Sequence, residues 1–163
     1  MKHLRSTAAV VVIAAFAAAR PACADEVTLI APGGIRAAIE KLIPEFERQS
    51  GHTVKATFGS GGGTKQQVAR GEPFDVPVVQ PPYAEVLASG HVVADSATPL
   101  ATVAVAVAVR KGERKPDIST PTALVGFLST HAKSPEAARA LLRFLSSPDA
   151  ARVYIASGMK PGR

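Results

Sequence analysis

Residues 26–46 read EVTLIAPGGIRAAIEKLIPEF, and this one stretch carries both kinds of element that a layered α/β fold needs. Glu26 to Ala31 is a short β-rich run that stops at Pro32-Gly33-Gly34, a strand followed by a turn. From Ile35 the apolar positions fall at Ile35, Ala38, Ile39, Leu42, Ile43 and Phe46. That is the stripe of an amphipathic helix, with Arg36, Glu40, Lys41, Glu47 and Arg48 turned away. Pro44 lies inside the stripe, so the helix is expected to kink or restart there, and Gly51 is its expected C-cap.

The alternation continues downstream. His52 to Phe58 reads as a second strand, Gly59 to Gly63 as a glycine-rich turn, and Thr64 to Arg70 as a short helix stopped by Gly71. Phe74 to Val79 is a third strand. Pro77 lacks the donor that a central strand needs, which puts this strand at an edge or makes it irregular. A helix over Pro82 to Ala88 is closed by Gly90. Ala101 to Val109 sets valines on one face against small alanines on the other, as expected of a central strand covered on both sides. Thr120-Pro121 is a candidate helix start and Val125 to Thr130 one more strand. Ser134-Pro135-Glu136 opens a helix with the face Ala138, Leu141, Leu142 and Leu145, and Ser147-Pro148-Asp149 opens another that ends at Gly158. Strands alternating with helices predict an α/β fold with a mainly parallel sheet flanked by helices.

Upstream of Asp25 the sequence has another purpose. Met1 to Ala24 has the three zones of a secretory signal: Lys2, His3 and Arg5, an apolar run from Ala8 to Ala19, and the cleavage pattern Ala22-Cys23-Ala24. That run is too short to span a bilayer. Cys23 as a lipoprotein cysteine is the alternative, but Arg20-Pro21-Ala22 lacks the usual leucine. Cleavage after Ala24 predicts a periplasmic product without stable membrane insertion. It leaves residues 25–163 as a single domain, without the chain's one cysteine and therefore without a disulfide or a thiol nucleophile.

The whole chain has 19 Lys and Arg against 13 Asp and Glu, a net charge of +6, but Lys2, Arg5 and Arg20 leave with the signal and the charge falls to +3. With the remaining basic residues dispersed and no aromatic stacking platform, nucleic acid is not an expected partner. Export also disfavours ATP- and NAD-driven chemistry.

Two strand-to-helix turns carry the candidate chemistry: Pro32-Gly33-Gly34 and Gly59-Ser60-Gly61-Gly62-Gly63-Thr64. In an open α/β sheet such turns lie at the carboxyl ends of the strands, where glycines let an anion approach the N–H groups of a helix start. The candidate ligand-binding residues are therefore Gly33, Gly34, Ser60, Gly61, Gly62 and Thr64. The alternative is that these glycines only make tight turns. Walker and dinucleotide motifs both fail at Thr64, so no nucleotide cofactor is expected. A hydrolase could be assembled from Ser60, His52 or His91, and Asp75, but no nucleophile elbow surrounds Ser60 and no catalytic residues are assigned. His52, His91 and His131 are far apart in sequence without metal-ligand spacing, so no metal site is expected.

The series VTLIAPGGIRAAIEKLIPEFE (27–47), GHTV (51–54), FGSGG (58–62), GEPFDV (71–76) and PEAARALLRFLSSPDAA (135–151) resembles the periplasmic molybdate-binding-type solute-binding proteins of ABC transporters. The resemblance implies a type 2 periplasmic binding fold, in which two α/β lobes close on an oxyanion held by hydroxyls and backbone amides of the first two strand-to-helix turns. Gly34 stands where that family's first ligand serine is expected. Ser60 is kept, and Gly61 takes the place where a second serine often stands.

The resemblance further implies a small anionic solute and an ABC permease as partners, and a monomer. It also implies that most of the second lobe is missing: residues 25–110 and 131–163 match the first lobe, and 111–130 form a short replacement for the second. The rival reading is a degenerate single-lobe protein with little ligand binding and only a structural or interaction role.

Overall fold

The computed structural model describes residues 24–104, 109–114, 116 and 121–162. The export segment through Cys23 and positions 105–108 of the apolar stretch Ala101–Val109 lie outside these residues. One six-stranded sheet organises the chain, in the order β2-β1-β3-β5-β4-β6. The strands are β1 (Glu26–Pro32), β2 (Thr53–Gly59), β3 (Val76–Val79), β4 (Val92–Val103), β5 (Thr122–Ser129) and β6 (Lys160–Pro161). The helices are α1 (Arg36–Ser50), α2 (Gly61–Ala69), α3 (Ala84–Ala88), α4 (Pro135–Leu145) and α5 (Pro148–Ala156), and a 3-10 turn over Gly33–Ile35 leads into α1.

Side chains alternate across the sheet and supply two cores. Leu29, Val78, Leu100, Leu124 and Leu128 pack beneath α1, α4 and α5, against Ile39, Leu42, Phe46, Leu141 and Leu145. On the other face Ile30, Val79, Val125 and Phe127 meet Val68 of α2 and Val86 of α3. Burial on both faces explains why β3 is buried at all four positions and β5 at its last six. The edge strand β2 instead alternates exposed and half-buried residues. At Gly126, in the middle of β5, an added Cβ would lie 2.7 Å from Leu142 Cδ2 and 3.3 Å from Leu100 Cδ1, so the bare backbone is what lets α4 settle on the sheet.

The strands β1, β2, β3 and β4 point one way and β5 and β6 the other, so the sheet is mainly parallel by direction but mixed in its pairing. Several sequence expectations are corrected. The helix α1 runs unbroken through Pro44. That proline is exposed, so water can solvate the carbonyl it leaves without a donor. The strand β3 lies in the interior rather than at an edge, and Pro77 is tolerated because its pairing is only two residues long on either side. Gly61–Gly63 are not turn residues but the first turn of α2. The strand expected over Ala101–Val109 begins at Val92, nine residues earlier, and lies between β5 and β6. No helix starts at Pro121, because β5 begins at Thr122. Residues 122–129, expected within a replacement for a second lobe, supply this interior strand, and the connection between β4 and β5 narrows to 104–121. Gly51, Gly71, Gly90 and Gly158, the expected helix stops, all take left-handed φ between 71° and 78°.

Asp75, one residue before β3, ties the sheet together while only 1% exposed. Its Oδ2 accepts from the Thr28 N–H at 2.7 Å and the Thr28 hydroxyl at 2.6 Å, and its Oδ1 accepts from the Lys133 N–H at 2.5 Å. Its own N–H donates to Thr28 Oγ1 and its carbonyl accepts from Ser129 N–H, both at 3.0 Å. Replacing the carboxylate leaves three part-buried donors, two of Thr28 and one of Lys133, without that acceptor. Asp75→Ala is therefore expected to lower the unfolding free energy by about 3 kcal/mol. In urea denaturation this appears as a lower midpoint at unchanged slope. Gly126→Ala, which forces Leu142 and Leu100 apart, is expected to cost about 1–3 kcal/mol in the same measurement.

Candidate functional site

Parallel register brings the two glycine-rich turns together. Along β1 and β2 the pairing runs from Glu26 opposite Thr53 to Pro32 opposite Gly59, so both strands end at the same rim of the sheet. A Cβ on Gly33 would stand 3.7 Å from the Gly59 carbonyl oxygen, which measures how close the two turns are. Gly33 and Gly34, both exposed, open the 3-10 turn without any side-chain cap. Ser60 is the N-cap of α2, and its Oγ accepts from the Gly63 N–H at 3.1 Å. A helix start leaves its first N–H groups without intrahelical partners, so Gly61 and Gly62 present theirs at the rim, together with the hydroxyl proton that Ser60 does not use in capping. Six sequence-predicted residues thus gather at one place, though not in equal positions. Thr64 is fully buried, its Oγ1 has no hydrogen-bond partner, and the oxygen lies 3.4 Å from where a Gly59 Cβ would be.

Three further side chains stand at this rim without having been singled out from sequence. Arg36, the first residue of α1, lies with its guanidinium 5.3 Å from the Phe58 ring centroid and bonds Glu40 at 2.7 Å. Lys65 Nζ donates to the Pro82 carbonyl at 3.2 Å. Gln80 follows the carboxyl end of β3, with its carboxamide against Gly61. A polar residue directly after the buried run Val76–Val79 was the available signal for Gln80.

The hydrolase constellation does not assemble. Ser60 follows β2 at the carboxyl rim, while His52, Asp75 and His91 each precede a strand of the same direction, at the opposite end of the sheet. His52 Nδ1 accepts from the Asp25 N–H at 3.2 Å and Asp75 is consumed by Thr28 and Lys133. His91 and His131, separated in sequence, are in fact neighbours, with Nδ1 and Nε2 2.8 Å apart beside Gly71. Among the described residues no three His, Cys, Asp or Glu side chains are grouped as metal ligands.

The family model described as bacterial extracellular solute-binding protein matches residues 27–126. An aconitate isomerase from a Pseudomonas species is 38% identical over 98 residues, a match covering 56% of this chain and 37% of that protein. The chain thus spans little more than a third of this curated relative. Among solved structures, one described as the substrate binding domain of a molybdenum ABC transporter from Clostridium difficile superposes with a TM-score of 0.65 at 14% identity, covering 85% of this chain and 99% of that one. The sulfate-binding protein SubI from Mycobacterium tuberculosis gives 0.61 at 14% identity, covering 84% and 87%. At that identity the two structures establish the fold, and the family match, which takes in more than half of the chain, establishes the kinship. By that match, this chain belongs to the bacterial extracellular solute-binding proteins.

Proposed function

We propose that this chain is an exported, single-lobed solute-binding protein of an ABC importer that holds a small anion, an oxyanion of the molybdate or sulfate kind, without transforming it. The observation that carries the reading is the rim where β1 and β2 end side by side, presenting the N–H groups of two helix starts and the Ser60 hydroxyl to one place. Gly33, Gly34, Ser60, Gly61 and Gly62 are its contact residues, with the buried Thr64 hydroxyl beneath them. Family membership supports the binding role, and the named ligands of the two structural neighbours support the oxyanion. Residues 1–24 serve as the cleavable export signal to the periplasm, and no helix among the described residues is long and apolar enough to cross a membrane.

Residues 25–163 form one lobe whose counterpart is absent. The Clostridium difficile chain supports a unit of this extent, because 99% of it is covered by this one. A half-site binds weakly. If two lobes give a micromolar complex, about −8 kcal/mol, one lobe supplies about −4 and holds its ligand at roughly millimolar. A specific observation favours a second ligand class, small polycarboxylates: the chain is 38% identical over 98 residues to an aconitate isomerase.

Calorimetric titration of the purified chain with molybdate, tungstate, sulfate, phosphate, trans-aconitate and citrate is expected to show binding at roughly millimolar for one of these classes. Absence of heat, with no ligand-dependent rise in Tm, overturns the reading in favour of a structural or interaction role. Incubation with trans-aconitate is expected to leave the isomer unchanged by NMR, whereas turnover overturns the non-enzymatic assignment. Ser60→Ala removes a donor to the anion along with the cap. It is expected to weaken binding about tenfold and to lower stability by about 1 kcal/mol, while Ser60→Thr retains most of both.

A further inference from the structure

We propose that Gln80 is a ligand-contacting residue of the anion site, and that residue 61 is glycine because the Gln80 carboxamide occupies the space its side chain would need. This inference rests on the anion-binding reading above. A Cβ built on Gly61 would fall 2.5 Å from Gln80 Cδ and 2.9 Å from Oε1, closer than any real contact, so the carboxamide lies directly against the first helical residue of α2. Gln80 reaches this point from β3, whereas the two glycine-rich turns belong to β1 and β2, so a third strand end converges on the same rim.

The approach is fixed at its root. Residues 76–79 are fully buried, and the chain just beyond Gln80 is held to α2 by the Lys65 hydrogen bond to the Pro82 carbonyl. The carboxamide itself makes no hydrogen bond within the described chain and is only half-buried. An amide with two N–H donors, unpartnered and positioned over the positive end of a helix, suits an anion better than it suits packing. An independent mark of a polar site lies one turn below, in the Thr64 hydroxyl, fully buried yet without a partner.

The chemistry at this rim is then one of neutral donors. Nε2–H of Gln80 joins the Ser60 hydroxyl and the backbone N–H groups of Gly61 and Gly62 in facing the ligand oxygens. A side chain at 61 and a glutamine at 80 are mutually exclusive ways of filling one space. Since the atoms that collide are the end of a flexible side chain, Gly61→Ser is expected to evict the carboxamide without unfolding the protein.

The test uses the full chain and whichever of sulfate, molybdate or trans-aconitate the wild type binds best. Gln80→Glu keeps the shape and reverses the electrostatics, and is expected to weaken binding more than tenfold; Gln80→Ala is expected to weaken it about tenfold. Adding Gly61→Ser to Gln80→Ala puts a hydroxyl into the vacated space and is expected to recover part of the loss. In the wild type, the Gln80 side-chain amide resonances, identified by their disappearance in Gln80→Ala, are expected to shift on titration. Wild-type affinity in Gln80→Glu, with unshifted amide resonances, overturns the role of Gln80 and leaves the anion site standing. A wild-type chain that binds none of these anions overturns both.

Discussion

The Asp75 carboxylate is the constraint on which the rest of the structure depends. It sits at the amino end of β3 and gathers Thr28 of β1 and Lys133 of the loop that leads from β5 to α4, while its own carbonyl takes Ser129 at the end of β5. Those contacts set where β1 and β3 start and where β5 ends relative to one another. Because a strand advances by a fixed rise per residue, setting one end also sets the other. Fixed at Thr28, β1 ends at Pro32; fixed at Asp75, β3 ends at Val79 and delivers Gln80 to the same rim. A one-residue slip would send the side chains of β3 to opposite faces, exchanging the Val78 and Val79 cores and turning Gln80 away from α2. The geometry of the candidate rim is thus decided at the far end of the sheet.

Much of this was legible in the sequence, for physical reasons that also mark where legibility stops. Helices α1, α4 and α5 were readable because each buries one face and so repeats its apolar residues with a regular period, and β1 because a short β-rich run stops at Pro32-Gly33-Gly34. Ser134-Pro135 and Ser147-Pro148 marked two helix starts correctly. The helix α2 was misplaced by three residues because glycine has low helical propensity. What starts the helix at Gly61 is the Ser60 cap and the rim geometry. The first half of β4 was missed because Ala94 to Ala97 interrupts its alternation. The structure accommodates those residues as a register shift between Val93 and Thr98, pinned by Ser96 Oγ, which accepts from the Leu128 N–H at 2.8 Å. Pro77 looked unfit for a central strand, a judgement that holds for long ladders and not for one of two residue pairs per side. The reversed direction of β5 has no local signal at all, since nothing in Thr122–Ser129 distinguishes a parallel neighbour from an antiparallel one.

The candidate site followed the same division. Its backbone elements were legible, because glycine clusters after β-rich runs mark strand-to-helix turns. Its side-chain elements were not, because Gln80 and Arg36 acquire meaning only when tertiary structure carries them to Gly61 and Phe58. Gly61, which takes the place where a second serine often stands in the family that the sequence resembles, brings no side chain of its own to the rim. Spatially there is an exchange of occupants: the space of a residue-61 side chain is filled by the Gln80 carboxamide, which arrives from β3.

That exchange bears on how such a rim discriminates among ligands. Two cations beside it already have partners, Arg36 with Glu40 and the Phe58 ring, and Lys65 with the Pro82 carbonyl. On the proposed reading, recognition by helix N-termini, a hydroxyl and a carboxamide would leave the anion's charge opposed by dipoles, whose field falls off within about one helical turn. Such a field attracts weakly from a distance and strongly at contact, so selectivity resides in the match between donor positions and ligand oxygens. If the lobe acts alone, as proposed, that match is one-sided, since the ligand's outer oxygens would remain in water, where sulfate, molybdate and a carboxylate are all well solvated. If Gln80 is a donor to the ligand as proposed, a carboxamide at this place adds to a one-sided rim some of the discrimination that a second lobe would otherwise supply.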